Sequence, residues 1–173
     1  MQIPKEIKNI LGKLEKAGFK SYAVGGCVRD LLLGKKPKDW DIATKATPEQ
    51  IQEIFPDSFY ANQFGTVTVK TKNEDKSLKE VEITTFRTEQ KYTDKRHPDK
   101  IGFTLNLKED LSRRDFTVNA LALDKKGNII DLFDGKKALE KRLIKAVGKA
   151  DARFGEDALR MLRAVRLTAE LNS

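Results

Sequence analysis

Apolar residues recur three or four positions apart near the start of the chain, at Ile7, Ile10, Leu11 and Leu14. That period predicts an amphipathic helix over Pro4–Ala17, closed by Gly18 and packed on a sheet. Tyr22–Val24 reads as a strand ending in Gly25-Gly26, and Val28–Leu33 has the apolar density of a helix start. Thr47-Pro48-Glu49 places an N-cap before a proline at the first helical position, which predicts a helix to about Phe55. Gly65–Lys70 alternates as a half-buried strand, and Val81–Phe86 alternates again, with Glu82 on one face with Thr84 and Phe86. Between them, Lys72–Lys79 is almost all polar and reads as an exposed turn or hairpin loop. Arg87–Lys100 has little apolar content and no period, so it reads as a mobile loop. Asn119–Leu123 and Ile129–Phe133 form a predicted hairpin about Lys125–Asn128, followed by a helix from about Lys136.

The last stretch, Glu156–Leu171, returns to the helical period. Ala158, Met161, Leu162, Val165 and Ala169 fall on one stripe, and Arg160, Arg163, Arg166 and Glu170 on the other side. Leu159 and Leu167 lie among the arginines, which argues against a fully solvated face.

With 173 residues, 39% hydrophobic and 35% charged, the chain can build one domain with a sizeable core and a further attached element. No apolar run approaches the roughly 20 residues of a membrane span, and the first stretch lacks the apolar segment of a secretory signal. Cys27 is the single cysteine, which excludes an internal disulfide and fits a cytoplasmic protein. His97 is the single histidine, which argues against a His-rich metal site or a His-dependent triad. The net charge of +8 favours a polyanionic partner over a merely lysine-rich surface.

Candidate chemistry concentrates between Tyr22 and Asp41. Gly25 and Gly26 between strand and helix let the backbone approach a phosphate closely. Asp39 and Asp41, two apart in a strand, would stand on one face. Two such carboxylates can hold two divalent cations about 4 Å apart, the arrangement of phosphoryl transfer. Alone, the glycines are an ordinary turn and the aspartates an ordinary strand end; together they point to nucleotidyl transfer. Arg29 could reach a triphosphate, whereas Asp30 sits favourably near a helix N-terminus on electrostatic grounds alone. Glu82 is either a third carboxylate beside Asp39 and Asp41 or an ordinary exposed strand residue. Arg113 and Arg114 beside Asp115 read as an anion site or as a surface ion pair. Asp157 and Arg160 can act together on a base: a carboxylate accepts from an exocyclic amino group while a guanidinium donates to a ring nitrogen. Cytosine and adenine offer that order, and uracil and guanine the reverse.

The segments GGCVRDLLLG and DWDIAT, RRDFTVNA and EDALRMLRAVR, in this order, resemble the motifs of the class II tRNA nucleotidyltransferases, the CCA-adding enzymes, and of the related bacterial poly(A) polymerases. Tyr92, Asp94 and Arg96 match the family's flexible-loop pattern, which the resemblance ties to the final A addition. The resemblance spans about Phe19 to Leu171, and Leu167 stands where the family often has an aromatic residue. It implies an α/β (α+β) fold: a DNA polymerase beta-like head with a mixed sheet over residues 1–138, then a partial helical neck over 139–173. Family members continue for about as long again, so body and tail domains are expected to be absent.

By the same resemblance, Asp39 and Asp41 would bind Mg²⁺, and Glu82 would assist deprotonation of the attacking hydroxyl. Gly25, Gly26, Arg29 and Arg114 would hold the nucleotide, and Asn119 would lie near its sugar and phosphate. Asp157 and Arg160 would read the base, braced by Arg163 and Arg166. The implied reaction adds C and A to a tRNA 3′ end from CTP and ATP. The alternatives are A-only addition, poly(A) addition and, in another class, a nucleotide- or RNA-binding fragment without turnover. A small-molecule nucleotidyltransferase fits less well, because a helix that reads C and A would have no purpose.

Overall fold

The computed structural model describes residues 2–62, 64–90, 93 and 100–171. The expected loop residues Tyr92, Asp94 and Arg96, together with His97, lie outside them. The chain forms two compact units, Met1–Phe86 with Ala122–Ile130, and Arg87–Leu121 with Asp131–Ser173.

The first unit opens with helix α1 (Lys5–Lys16), whose buried face is Ile7, Ile10, Leu11 and Leu14 as the period predicts. Strand β1 (Ser21–Val24) leads through Gly25 into α2 (Gly26–Leu32), and β2 spans Asp41–Thr44. Helix α3 (Pro48–Ile54) carries a full capping box, Thr47 with Gln50, and buries Ile51. Strands β3 (Ser58–Asn62) and β4 (Thr66–Lys70) pair antiparallel. A short helix α4 (Lys76–Lys79) precedes β5 (Glu80–Thr85).

Two expectations change here. The polar stretch 72–79 is not simply an exposed turn: Asp75 caps α4 by accepting from Ser77 N at 3.0 Å, and Ser77 and Leu78 are buried. Strand β4 is not half-buried either, because Thr66, Val67, Thr68 and Val69 are all covered. It lies between β3 and β5, and Thr66 shares a hydroxyl hydrogen bond with Thr84 across the pair at 3.1 Å. Threonine can fill a covered strand face when its hydroxyl is satisfied.

The sheet is mixed, in the order β3-β4-β5-β2-β1-β8-β9, where β8 is Leu121–Leu123 and β9 is Ile129–Asp131. Its β2–β5 pair is parallel and the flanking β1–β2 and β4–β5 pairs are antiparallel. Trp40, Ile42, Val67, Val81 and Ile83 line the core, each fully buried aliphatic side chain contributing about 1.5–3 kcal/mol.

In the second unit, β6 (Arg87–Gln90) pairs antiparallel with β7 (Lys100–Phe103). Arg87–Gln90 is therefore strand where the sequence suggested loop. Its charged side chains are neutralised by ion pairs rather than solvated, and no hydrophobic alternation marks them. Helix α5 (Leu107–Ser112) follows, then a 3-10 turn, Thr117–Asn119. Helix α6 is Gly135–Glu140, α7 is Ala150–Glu156 and α8 is Leu159–Leu171. Phe116, Val118, Ala138 and Leu167 form its core, with Phe154, Ala164 and Leu171 packed against them.

The predicted single helix over Glu156–Leu171 is thus broken at Asp157, whose backbone is extended (φ −142°, ψ 108°). Asp157 Oδ1 instead accepts from Leu159 N at 2.9 Å and starts α8. The buried side of α8 carries Arg160 and Leu167, while Met161, Leu162 and Val165 are exposed.

Candidate active site

The site in the first unit is built at the end of β1, the start of β2 and the position of β5 beside it. Gly25 takes φ 80° and ψ −136°, a conformation open essentially to glycine alone, and turns β1 directly into α2. Arg29, one turn into α2, is largely buried, and its Nε and Nη2 both donate to Asp30 Oδ1 at 2.9 and 2.7 Å. Asp30 thereby orients the guanidinium, a role beyond the helix-end electrostatics that the sequence suggests.

Asp41 opens β2 and is the register partner of Glu82 in parallel β5, so both side chains project from the same face. Glu82 N also donates to Trp40 O at 3.3 Å. Buried Trp40 pins the strand start between exposed Asp39 and half-buried Asp41. Asp39 itself precedes the strand in a bend, so the strand pleat does not by itself place it beside Asp41. Among the described residues, no group of three or more acidic, Cys or His side chains is gathered closely enough to hold a metal. The expected three-carboxylate cluster is therefore not assembled: Asp41 and Glu82 are register neighbours, and Asp39 lies two residues upstream, outside the strand.

The second unit carries the remaining predicted residues. Arg114 Nη2 lies 3.6 Å from Asp110 Oδ2. Arg113 is held tightly: its Nε and Nη2 donate to Asp110 Oδ1 at 3.0 and 2.9 Å, and its Nη1 to Glu89 Oε1 at 2.8 Å. Burial opposes the Arg113 charge, but Asp110 and Glu89 outweigh it and hold the guanidinium above its ordinary pKa. At Arg87, burial and neighbouring Arg113 prevail over Glu89, and the pKa falls.

Asp115, expected beside the arginine pair, turns elsewhere. It accepts from Phe116 N at 2.7 Å and Asn119 Nδ2 at 3.3 Å, and pairs with Arg163 at 2.8 Å. Asp115, Asn119 and Arg163 are thus brought together. Arg160 is buried, with Nη1 donating to Glu156 Oε2 at 2.6 Å and Arg153 O at 3.0 Å, and its Nε stands 4.0 Å from Asp157 Oδ2. Arg166 pairs with Glu170 on the exposed side, away from this group.

Asp110, Glu89 and Glu156 are the site residues that sequence reasoning missed. Helical spacing carried the signal for two of them, since Asp110 lies three and four residues before Arg113 and Arg114, and Glu156 four before Arg160. Nothing local marks Glu89, which meets Arg113 only through the tertiary fold.

The first unit thus sets a glycine turn entering a helix next to neighbouring strand-borne carboxylates on a mixed sheet. The chain belongs to the poly(A) polymerase head-domain family, which it matches over residues 21–145. It is 57% identical over 164 residues to a CCA-adding enzyme of Lactobacillus delbrueckii subsp. bulgaricus, covering 94% of this chain and 40% of the relative. A CCA-adding enzyme of Lactococcus lactis is 50% identical, covering 99% of this chain and 44% of the relative. Among solved structures, the Bacillus stearothermophilus CCA-adding enzyme in complex with CTP superposes with a TM-score of 0.86 at 45% identity, covering 97% of this chain and 40% of that one. The chain thus spans about two fifths of the length of these relatives. No helix among the described residues is long and apolar enough to cross a membrane.

Proposed function

We propose that this chain is the catalytic head (residues 1–138) and part of the neck (139–173) of a cytoplasmic CCA-adding tRNA nucleotidyltransferase. The observation that carries the reading is the close fold match, over nearly the whole chain, to a CCA-adding enzyme in complex with CTP. In the reaction, a tRNA 3′-hydroxyl oxygen bonds to the α-phosphorus of CTP or ATP. The α–β phosphoanhydride bond breaks, pyrophosphate leaves, and the hydroxyl proton is lost.

Gly25, Gly26 and Arg29 hold the triphosphate, with the Asp30 carboxylate fixing the Arg29 fork. The carboxylates Asp39 and Asp41 are hard oxygen donors of the kind Mg²⁺ takes, and they would hold the ions of a two-metal site. Mg²⁺ bound there would neutralise triphosphate charge and lower the pKa of the attacking hydroxyl. Glu82, register neighbour of Asp41, assists loss of the hydroxyl proton.

Arg114 contacts the nucleotide, and Asn119 lies near its sugar and phosphate. Asp157 and Arg160 start from the same break between α7 and α8 and read the base edge shared by cytosine and adenine. Arg163, paired with Asp115, braces this group, and Arg166, on the exposed side, meets phosphate.

The test is incubation with tRNA ending at its discriminator base, Mg²⁺, and each nucleotide singly and together. Incorporation of two C and one A supports the reading. Long A tracts would instead favour poly(A) addition, the reading suggested by the description of the matched family. CTP and ATP binding in preference to UTP and GTP, without incorporation, would indicate a nucleotide-binding fragment. Full transfer activity in Asp39→Ala and Asp41→Ala would sink the catalytic assignment.

A further inference from the structure

We infer that Asp110 is a positioning residue for nucleotide binding by Arg114, supported by Glu89 acting through Arg113; the inference rests on the role of Arg114 proposed above. Asp110 has no exposed surface. Its Oδ1 is saturated, accepting from Arg113 Nε, Arg113 Nη2 and, at 3.2 Å, the backbone N of Arg87. Its Oδ2 is buried and has no hydrogen-bond partner among the described residues. That oxygen faces Arg114 Nη2 at 3.6 Å, beyond direct hydrogen-bond length.

Arg114 Nε is likewise buried without an acceptor. Arg114 is therefore drawn to Asp110 by charge without spending its donors on it. A buried N–H with no acceptor is unfavourable, and an arriving phosphate or sugar oxygen that accepts from it removes that penalty. The carboxylate fixes where the guanidinium waits, and the ligand supplies the missing acceptor.

Glu89 completes the arrangement. Its Oε1 accepts from Arg113 Nη1 and from Arg87 Nη2, both at 2.8 Å. It thereby satisfies the part of Arg113 that Asp110 does not reach. Without Glu89, Arg113 Nη1 loses this acceptor, and the balance that leaves Oδ2 facing Arg114 is disturbed.

The test is a double-mutant cycle on CTP affinity, with thermal melts to confirm folding, in wild type, Asp110→Asn, Arg114→Ala and the double variant. Each single change is expected to weaken CTP binding about tenfold, with the double variant no weaker than Arg114→Ala. Wild-type affinity in Asp110→Asn, or effects that multiply to about a hundredfold in the double variant, overturns the inference. Wild-type affinity in Arg114→Ala, or no CTP binding by the wild type, overturns the role of Arg114 and the inference with it. If Asp110→Asn does not fold, Glu89→Gln takes its place in both backgrounds. A loss confined to the Arg114-containing background supports the relay, and an equal loss in both, or none, refutes it.

Discussion

Gly135 opens α6 with its backbone N donating to Asp131 Oδ1 at 2.8 Å. A Cβ built there would stand 2.3 Å from the carbonyl oxygen of Thr117 and 3.0 Å from Leu121 Cδ2. A comfortable carbon–oxygen contact is roughly 3.3 Å, so about 1 Å of overlap must be relieved. The obstructing atom is backbone, fixed by the 3-10 turn, and cannot swing aside as a side-chain end would. Gly135→Ala therefore falls at the top of the overpacking range, a loss of roughly 3 kcal/mol, and lowers Tm by roughly 6–12 °C in a chain of this size. Gly155 in α7 is the internal control, because its Cβ would meet nothing within 4 Å. Gly155→Ala is expected to gain about 0.5–1 kcal/mol from helix propensity. Differential scanning calorimetry of both variants beside wild type measures the contrast. A Gly135→Ala Tm within about 2 °C of wild type would refute the packing argument.

Thr47→Ala removes one half of the α3 capping box and should cost about 1 kcal/mol, read as a shifted urea midpoint with an unchanged slope. Asp75 is held at about 2 by the Lys36 ammonium and then by the N–H and hydroxyl of Ser77. Its folded pKa lies below the unfolded value of about 3.9, so its contribution is present above about pH 4 and is lost as the pH falls towards 2. The unfolding midpoints of wild type and Asp75→Asn should accordingly converge between pH 4 and pH 2; a gap that stays constant over that window contradicts the assignment.

Local chemistry was enough for several elements. The spacing of Ile7, Ile10, Leu11 and Leu14 specifies α1, and Thr47-Pro48 specifies the start of α3, because helix period and capping act within a few residues. Gly25 could be read as a special backbone position for the same reason. Other features depend on partners distant in sequence. Strand β6 is polar at every position, and it persists because β7 pairs with it and Arg113 neutralises Glu89 from 24 residues away. The period of α8 reveals a stripe but not which side is covered. Packing buries Arg160, which Glu156 and a backbone carbonyl can satisfy, together with Leu167, and leaves Met161, Leu162 and Val165 outside. The sequence thus determined the period of α1, the cap of α3, the glycine turn and the order of the motifs. Tertiary structure alone decided that Asp41 stands beside Glu82, that Asp115 faces Arg163 rather than the arginines next to it, and that Glu89 meets Arg113. Register and burial set which charges meet, and neither is encoded by spacing along a single element.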